Sequence, residues 1–333
     1  MLAAIDIHKA VFQAAVLDPD GGEITEDRFR ASSEALNAWA EKWGNGLEAV
    51  ALEATTGWRW VARELQAREI EVLLVDPGKA SALQGNRARP KTDRLDARWL
   101  VTLLVRDMLP ESWLAPEEIQ RLRDRTRLRN ALTNDHTRWA QRLHAVLVHE
   151  GWACSRGSLL TASGRRWVAA ISLDPVARAQ VEAMLSIMVA LAQQIELIDE
   201  ELKRMASADE RLRALQRIFG VGPILAATIL AEIGDAKRFR RARQVVRAAG
   251  LDPVVKDSGD KQRRGRLSKQ GAPCLRWALV EAAQHACRKN SPDHELYLQA
   301  HGRAGANPAT LTVARKIGKR AFHILRELET QAA

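Results

Sequence analysis

The opening run LAAIDIHKAVFQAAVLD, residues 2–18, constrains the fold more tightly than any other stretch of the chain. It reads as two short β-rich runs broken at His8–Lys9. A turn at Asp20-Gly21-Gly22 and a third strand through Arg30 then complete a three-strand meander. Inside the first run, Asp6 stands between Ile5 and Ile7. Burying an unpaired carboxylate costs several kcal/mol or more. Either strand alternation turns Asp6 to solvent, or the fold supplies it with a partner.

The next hundred residues alternate. Ser33 is placed to cap a helix running to Trp43, EAVALEATTG reads as a buried strand ending near Glu53, and Trp58 to Arg68 has apolar residues at helical spacing. IEVLLVD is another strand, broken by Pro77-Gly78, and a helix begins around Asp93. Three antiparallel strands followed by strand–helix alternation predict an α/β region, a mixed sheet with helices on its faces.

From Pro116 the texture becomes helical and Arg-rich. Glu117 to Glu150 and Val176 to Met205 read as an antiparallel hairpin of long helices, with Gly151 to Ser163 as the loop between them. Leu122, Leu128, Leu132, Trp139, Leu143 and Val146 make a rough apolar stripe, which suits helix packing or a dimer-forming coiled coil. From Leu212, Gly220-Val221-Gly222-Pro223 lies between apolar helical runs, as in a helix-hairpin-helix. The basic stretch KDSGDKQRRGRLSKQG reads as a surface loop, and two amphipathic helices close the chain. The expected division is 1–112, a mixed sheet domain; 113–210, a helical coiled-coil spacer; and 211–333, a mostly α domain.

Charge is distributed as unevenly as structure. Residues 1–110 hold 14 Lys and Arg against 17 Asp and Glu, and residues 111–210 hold 13 against 14. Residues 211–333 hold 24 against 10, a net +14, which exceeds the +10 of the whole chain. Cations concentrated in this way point to a polyanion such as nucleic acid, where they would release counterions from phosphates. The 3 cysteines lack CxxC spacing, so neither disulfides nor structural zinc are expected. No uninterrupted apolar run of about 18–20 residues is present and no signal peptide opens the chain, so the expectation is a cytoplasmic protein without a membrane partner.

The chemistry lies in the acids. In RPKTDRLDARW, Asp93 and Asp96 fall on one helical face about 5–6 Å apart and repel unless a cation sits near them. Either Lys91, Arg94 and Arg98 pair them off, or they are half of a metal site. Taken in order, Asp6 in a strand, Glu53 at the end of another, and the Asp93/Asp96 pair on a helix could converge. Carboxylates holding two divalent cations activate a nucleophile and stabilise a leaving oxygen in phosphoryl transfer. The eight histidines show no metal-ligand spacing.

The set AAIDIHKA, ALEATTG and KTDRLDAR resembles the DEDD, RuvC-like domain of the IS110/IS1111 family of transposases and the related Piv-type invertases. GVGPILAATILAEIGD, AAGLDP, SG and GRLSKQG resemble that family's C-terminal transposase domain. The resemblance implies an RNase H-like N-terminal domain, Mg²⁺ (with Mn²⁺ as a substitute) bound by Asp6, Glu53, Asp93 and Asp96, and a homo-oligomer acting on DNA. It also implies a serine nucleophile and, in some members, a non-coding bridge RNA that guides the choice of site. Ser258, in DSGDK, matches the family's Ser-Gly element, with Ser268 in RLSKQG as its competitor. Lys91, Arg94, Lys256, Lys261, Arg263, Arg264, Arg266 and Lys269 are the expected nucleic-acid contacts. Two rivals stand beside this reading. A sugar kinase would need small glycines where Ile7-His8-Lys9 stands. A structure-specific nuclease such as a junction resolvase would use the carboxylates alone.

Overall fold

The computed structural model describes residues 1–18, 22–84, 93–154, 156–159, 161–258 and 261–331. They form two compact units, Met1–Leu114 and Ala115–Ala333.

The first unit is a five-stranded mixed sheet with helices. It comprises β1 (Leu2–Ile7), β2 (Val11–Leu17), β3 (Ile24–Arg30), α1 (Ser33–Trp43), β4 (Ala49–Glu53), α2 (Trp58–Gln66), β5 (Glu71–Val75), α3 (Pro77–Gln84) and α4 (Asp93–Val105). The sheet order is β3-β2-β1-β4-β5. β1 pairs antiparallel with β2 and parallel with β4, and β5 is parallel to β4. β1 is therefore central and buried on both faces, which explains its nearly continuous apolar run.

Strand alternation sorts the core into two layers. Ala3, Ile5 and Ile7 pack with Phe12, Leu36, Val61 and Leu65 on one face, whereas Ala4 and Ala51 pack with Ala97, Leu100 and Val101 of α4 on the other. Phe12, Phe29, Trp39, Trp43, Trp58 and Trp60 serve the first layer, whereas Trp99 of α4 donates to the Ala80 carbonyl on the other. Phe12 lies 5.7 Å from Phe29 and 5.5 Å from Trp60, centroid to centroid. The Trp39 and Trp43 indoles each donate to Asp27 Oδ2 at 3.2 Å. Buried Trp N–H groups need such an acceptor.

One local expectation is corrected here. Ser32, not Ser33, caps α1: it has extended backbone and its side chain accepts from Ala35 N, so Ser33 is the first helical residue. The strand before Pro77-Gly78 ends as expected, at Val75, and the pair also starts a helix. Pro77 opens α3, where a missing N–H costs nothing, and Asp76 Oδ1 accepts from Lys79 N at 3.1 Å.

The second unit is mostly helical. It comprises α5 (Glu117–His149), α6 (Arg156–Leu159), α7 (Ala162–Ala170), α8 (Pro175–Ala208), α9 (Glu210–Leu215), α10 (Pro223–Ile233), α11 (Ala242–Ala248), β6 (Pro253–Ser258), β7 (Lys261–Leu267), α12 (Pro273–Ala283), α13 (His294–Ala304) and α14 (Ala306–Gln331). Arg125 pairs with Glu201 and Arg129 with Asp199, so position rises along α5 as it falls along α8: the two run antiparallel. α8 is long and apolar enough, by length and composition, to cross a membrane. In this fold it packs along α5 and contacts α10.

The structure departs from expectation at three places in this unit. The Gly151–Ser163 segment holds α6 and the start of α7 rather than a plain loop. In the apolar stripe, Leu122 and Leu143 are buried but Leu128 faces solvent, because the neighbours of α5 cover one narrow side of it. The basic stretch after Pro253 is a β-hairpin, β6 antiparallel to β7, whose polar strands carry no apolar alternation to reveal them.

Two buried carboxylates tie helices of the unit to one another. Glu232 of α10 is 4% exposed and takes a bidentate pair from Arg127 of α5, at 2.8 and 2.9 Å. Asp293 is 3% exposed and accepts from Arg320 Nη2 at 2.9 Å, from Arg320 Nη1, and from Lys316 Nζ at 3.0 Å. At the turn before α10, Gly220 has φ +83°, and a Cβ there would stand 2.4 Å from the Ala282 carbonyl oxygen. Only glycine fits this turn.

Asp293 provides a direct stability test. Burial alone would raise its carboxyl, but the hydrogen bonds from Arg320 and then Lys316 outweigh that and hold it below the ordinary range. Asp293→Ala is expected to cost about 2–3 kcal/mol at neutral pH. A depressed folded-state value gives stability that is complete above the ordinary carboxylate pKa of about 3.9 and is lost as pH falls through the folded value. Urea melts of both proteins should therefore differ by a constant amount near neutrality and converge below about pH 4. A difference that persists unchanged at low pH would exclude this account.

Candidate metal centre

The carboxyl end of β1 gathers the site. Asp6 and His8 are two apart at this end, so they share the parity of Ala4, on the face that α4 covers. In the parallel register Ile5 pairs with Leu52, which sets Glu53 level with Asp6 and on the same face. Asp93 and Asp96 lie in the first turn of α4. Strand alternation and helix position thus put the four expected acids at one end of the sheet, outside the carboxyl ends of two parallel strands; among the described residues Asp6 and Asp93, with His8, come within ligand distance of one another, and Glu53 and Asp96 are not in that group.

At the centre, Asp6 is 8% exposed. Its Oδ2 lies 3.1 Å from His8 Nε2, and the same nitrogen is 3.3 Å from Asp93 Oδ1. One ligand atom each from Asp6, His8 and Asp93 falls within 4.8 Å of the others. Burial pushes the Asp6 carboxyl up; His8 pulls it down, and the charges of Asp93 and Asp96 push it up again. A buried carboxylate facing two further carboxylates lacks positive charge. Hard oxygen donors of this kind suit Mg²⁺ or Mn²⁺, and an imidazole beside them fits Mn²⁺ as well.

His8 is the residue that sequence reasoning missed. Its signal was present: a histidine two positions after a strand carboxylate points to the same face. Spacing among the histidines carries no trace of it, because the cluster is assembled across strand and helix. Arg94 does not pair off Asp93 and Asp96. It is engaged by Glu26 of β3, which also accepts from Arg98 Nη1 at 2.8 Å. Lys91 lies outside the described residues.

The remaining expected residues belong to the second unit. Ser258 ends β6 and is the register partner of Lys261; Lys256 faces Arg263 across the hairpin, and Val255 faces Arg264. Arg266 and Lys269 are exposed near the hairpin base. Ser268 donates to Asp252 Oδ1 at 2.7 Å, closing that base.

Comparison with known proteins matches two separate stretches of the chain, the first reaching past the first unit into α5. A family model described as "Transposase IS116/IS110/IS902 family" matches residues 212–299. A second, for IS110-type DEDD transposases and described as "Transposase", matches residues 3–150. The transposase for insertion sequence element IS1111A of Coxiella burnetii is 27% identical over 341 residues, covering 99% of this chain and 90% of the relative. A probable family 20 transposase of Pseudomonas aeruginosa is 27% identical over 278 residues, 80% of each chain. The transposase for insertion sequence element IS1328 of Yersinia enterocolitica is 26% identical over 235 residues, covering 71% of this chain and 70% of the relative.

Proposed function

The chain belongs to the IS110/IS1111 family of transposases, and from this we propose metal-dependent exchange of DNA strands, with a serine nucleophile, as its reaction. It is a DNA transposase of an insertion sequence, and the proposal adds a metal, a serine nucleophile and a guide RNA. The observation that carries the metal is the buried Asp6 carboxylate held against His8 and Asp93, with Glu53 level in register. The sheet order, three antiparallel strands followed by two parallel ones, supports an RNase H-like fold for residues 1–112.

Asp6, Glu53, Asp93 and Asp96 would hold Mg²⁺, or Mn²⁺ in its place, and the bound cation would offset charge on the scissile phosphate. His8 steadies Asp6 and Asp93 from a single nitrogen. Ser258 Oγ would attack phosphorus and lose its proton to solvent, the bond from phosphorus to the departing strand would break, and that strand would leave as an alcohol. The phosphoserine ester then conserves the bond energy for rejoining. Lys256, Lys261, Arg263 and Arg264, on the same hairpin, would stabilise phosphorane charge, and Arg266 and Lys269 would hold the backbone. Ser268 is committed to Asp252, which supports Ser258 as the nucleophile. The family resemblance extends to a bridge RNA and a homo-oligomer, and the +14 of residues 211–333 accommodates a second polyanion.

One reconstituted reaction tests these parts. Full-length protein, element-end DNA and copurified RNA are combined, and Mg²⁺ and RNA are withdrawn in turn. Strand exchange should stop on either withdrawal and return with Mn²⁺ after the first. Exchange that continues in EDTA would sink the metal reading, and exchange by RNA-free protein would sink the guide.

A further inference from the structure

Away from Ser258 and from the carboxylate cluster, a cleft of about 780 Å³ opens between α11, the segment before it, the start of β6, and α14. Six cationic side chains line it: Arg240, Arg241, Arg243, Arg247, Arg315 and Lys319. The other lining residues are Gln244, Val246, Asp252 and Pro253.

The arrangement is costly unless something anionic fills it. α11 and α14 pack together, and each presents a like-charged pair at i and i+4, Arg243 with Arg247 and Arg315 with Lys319. Such pairs are unfavourable on a helix. Among the described residues, no salt bridge engages Arg240, Arg241, Arg243, Arg247 or Lys319, all of which are exposed. Among the described lining residues Asp252 is the one acid, set against six cations, and it accepts a hydrogen bond from Ser268. Arg315 donates through Nε to the Leu251 carbonyl at 2.7 Å. Burial lowers its guanidinium, and the charge of Asp252 opposes that shift.

We infer that this cleft is a phosphodiester-binding site for a double helix, read through its backbone and not through its bases. Among the described residues the lining has no aromatic side chain on which an unpaired base could stack, as single-strand sites have. Arginine and lysine side chains converging in a groove are what phosphate contacts require. The site deepens the transposase reading and rests on it for the identity of the polyanion. Pro253 lines the cleft and begins the strand that ends at Ser258, on the order of 16 Å away at about 3.3 Å per residue. At 3.4 Å per base pair that is about five base-pair steps. The cleft would grip the duplex flanking the exchange point and fix where the hairpin meets it.

The test uses the full-length protein carrying Arg243→Gln, Arg247→Gln and Lys319→Gln together. A control protein loses the same charge elsewhere in the unit, through Arg288→Gln, Lys289→Gln and Arg303→Gln. Anisotropy titrations across a salt series use a random-sequence duplex DNA, a duplex RNA of equal length and a single strand. The cleft variant should bind duplex roughly 10–100-fold more weakly, with a log–log salt slope shallower by about 2–3, and its melting temperature should be no lower than that of the parent because like-charge repulsion is relieved. Loss on the DNA arm names DNA as the occupant, and loss on the RNA arm names RNA. Equal loss in the control, loss confined to the single strand, or no loss would each overturn the site. Cleavage chemistry is read separately. If carboxylate variants still exchange strands while the cleft variant loses duplex, the metal reading fails and the cleft stands.

Discussion

Asp6→Asn is expected to lower Mg²⁺-dependent strand cleavage by at least about 10³-fold while leaving duplex binding unchanged. Charge stabilisation by a bound cation is worth several kcal/mol, and about 4 kcal/mol corresponds to that factor. The substitution keeps shape and removes the charge that burial, Asp93 and Asp96 all oppose, so the metal-free variant should melt no lower than the parent. The sign with pH follows from the raised carboxyl. Between the unfolded and folded values the native state binds more protons, so metal-free parent protein loses stability as pH rises from about 4 through the folded value. Asp6→Asn should lack that decline. Asp93→Asn, at an exposed side chain, should reproduce the catalytic loss with no risk to the core. Cleavage at parental rate in either variant, scored on nicked plasmid, would remove the cluster from the reaction.

The second large effect belongs to Ser258. Ser258→Ala should reduce strand exchange by at least about 10⁴-fold and eliminate the covalent protein–DNA species, because an alanine offers no oxygen to phosphorus. Binding should persist, since the cations of the hairpin remain. Ser268→Ala is the matched control. Its hydroxyl holds Asp252 at 2.7 Å, so its loss should cost about 1 kcal/mol of stability and little chemistry. Cleavage that survives Ser258→Ala at full rate would hand the reaction to the carboxylates alone, as in a structure-specific nuclease. An adduct that moves to Ser268 would exchange the roles of the two serines.

Much of the first unit was legible because its signals are local. Short β-rich apolar runs with turn residues between them marked β1 to β5, and a capping serine, helical spacing and a start near Asp93 marked α1, α2 and α4 in turn. The order of acids along those elements was visible too. Their convergence needed the parallel register of β1 on β4 and the placement of α4 over Ala4 and Ala51. His8 shows the limit, as its neighbour Asp6 is two residues away and its other neighbour, Asp93, is eighty-five. Arg94 shows it again. Sequence proximity suggested the Asp pair, but the sheet brings Glu26 to it first.

The second unit was less legible where charge replaced pattern. The sequences of β6 and β7 carry no sustained apolar alternation, so nothing local distinguishes them from a loop. The apolar stripe of α5 was visible, but which part of it would be covered depended on where α8 and α10 lie. Sequence by itself determined the alternating sheet, the long helices, the family motifs and the concentration of positive charge after residue 211, because these are properties of neighbours along the chain. Only tertiary structure decided that Asp6 would share an imidazole with Asp93. It also decided that arginines near 240 and cations near 315 would face one cleft, because a contact between distant segments depends on packing that local periodicity does not encode.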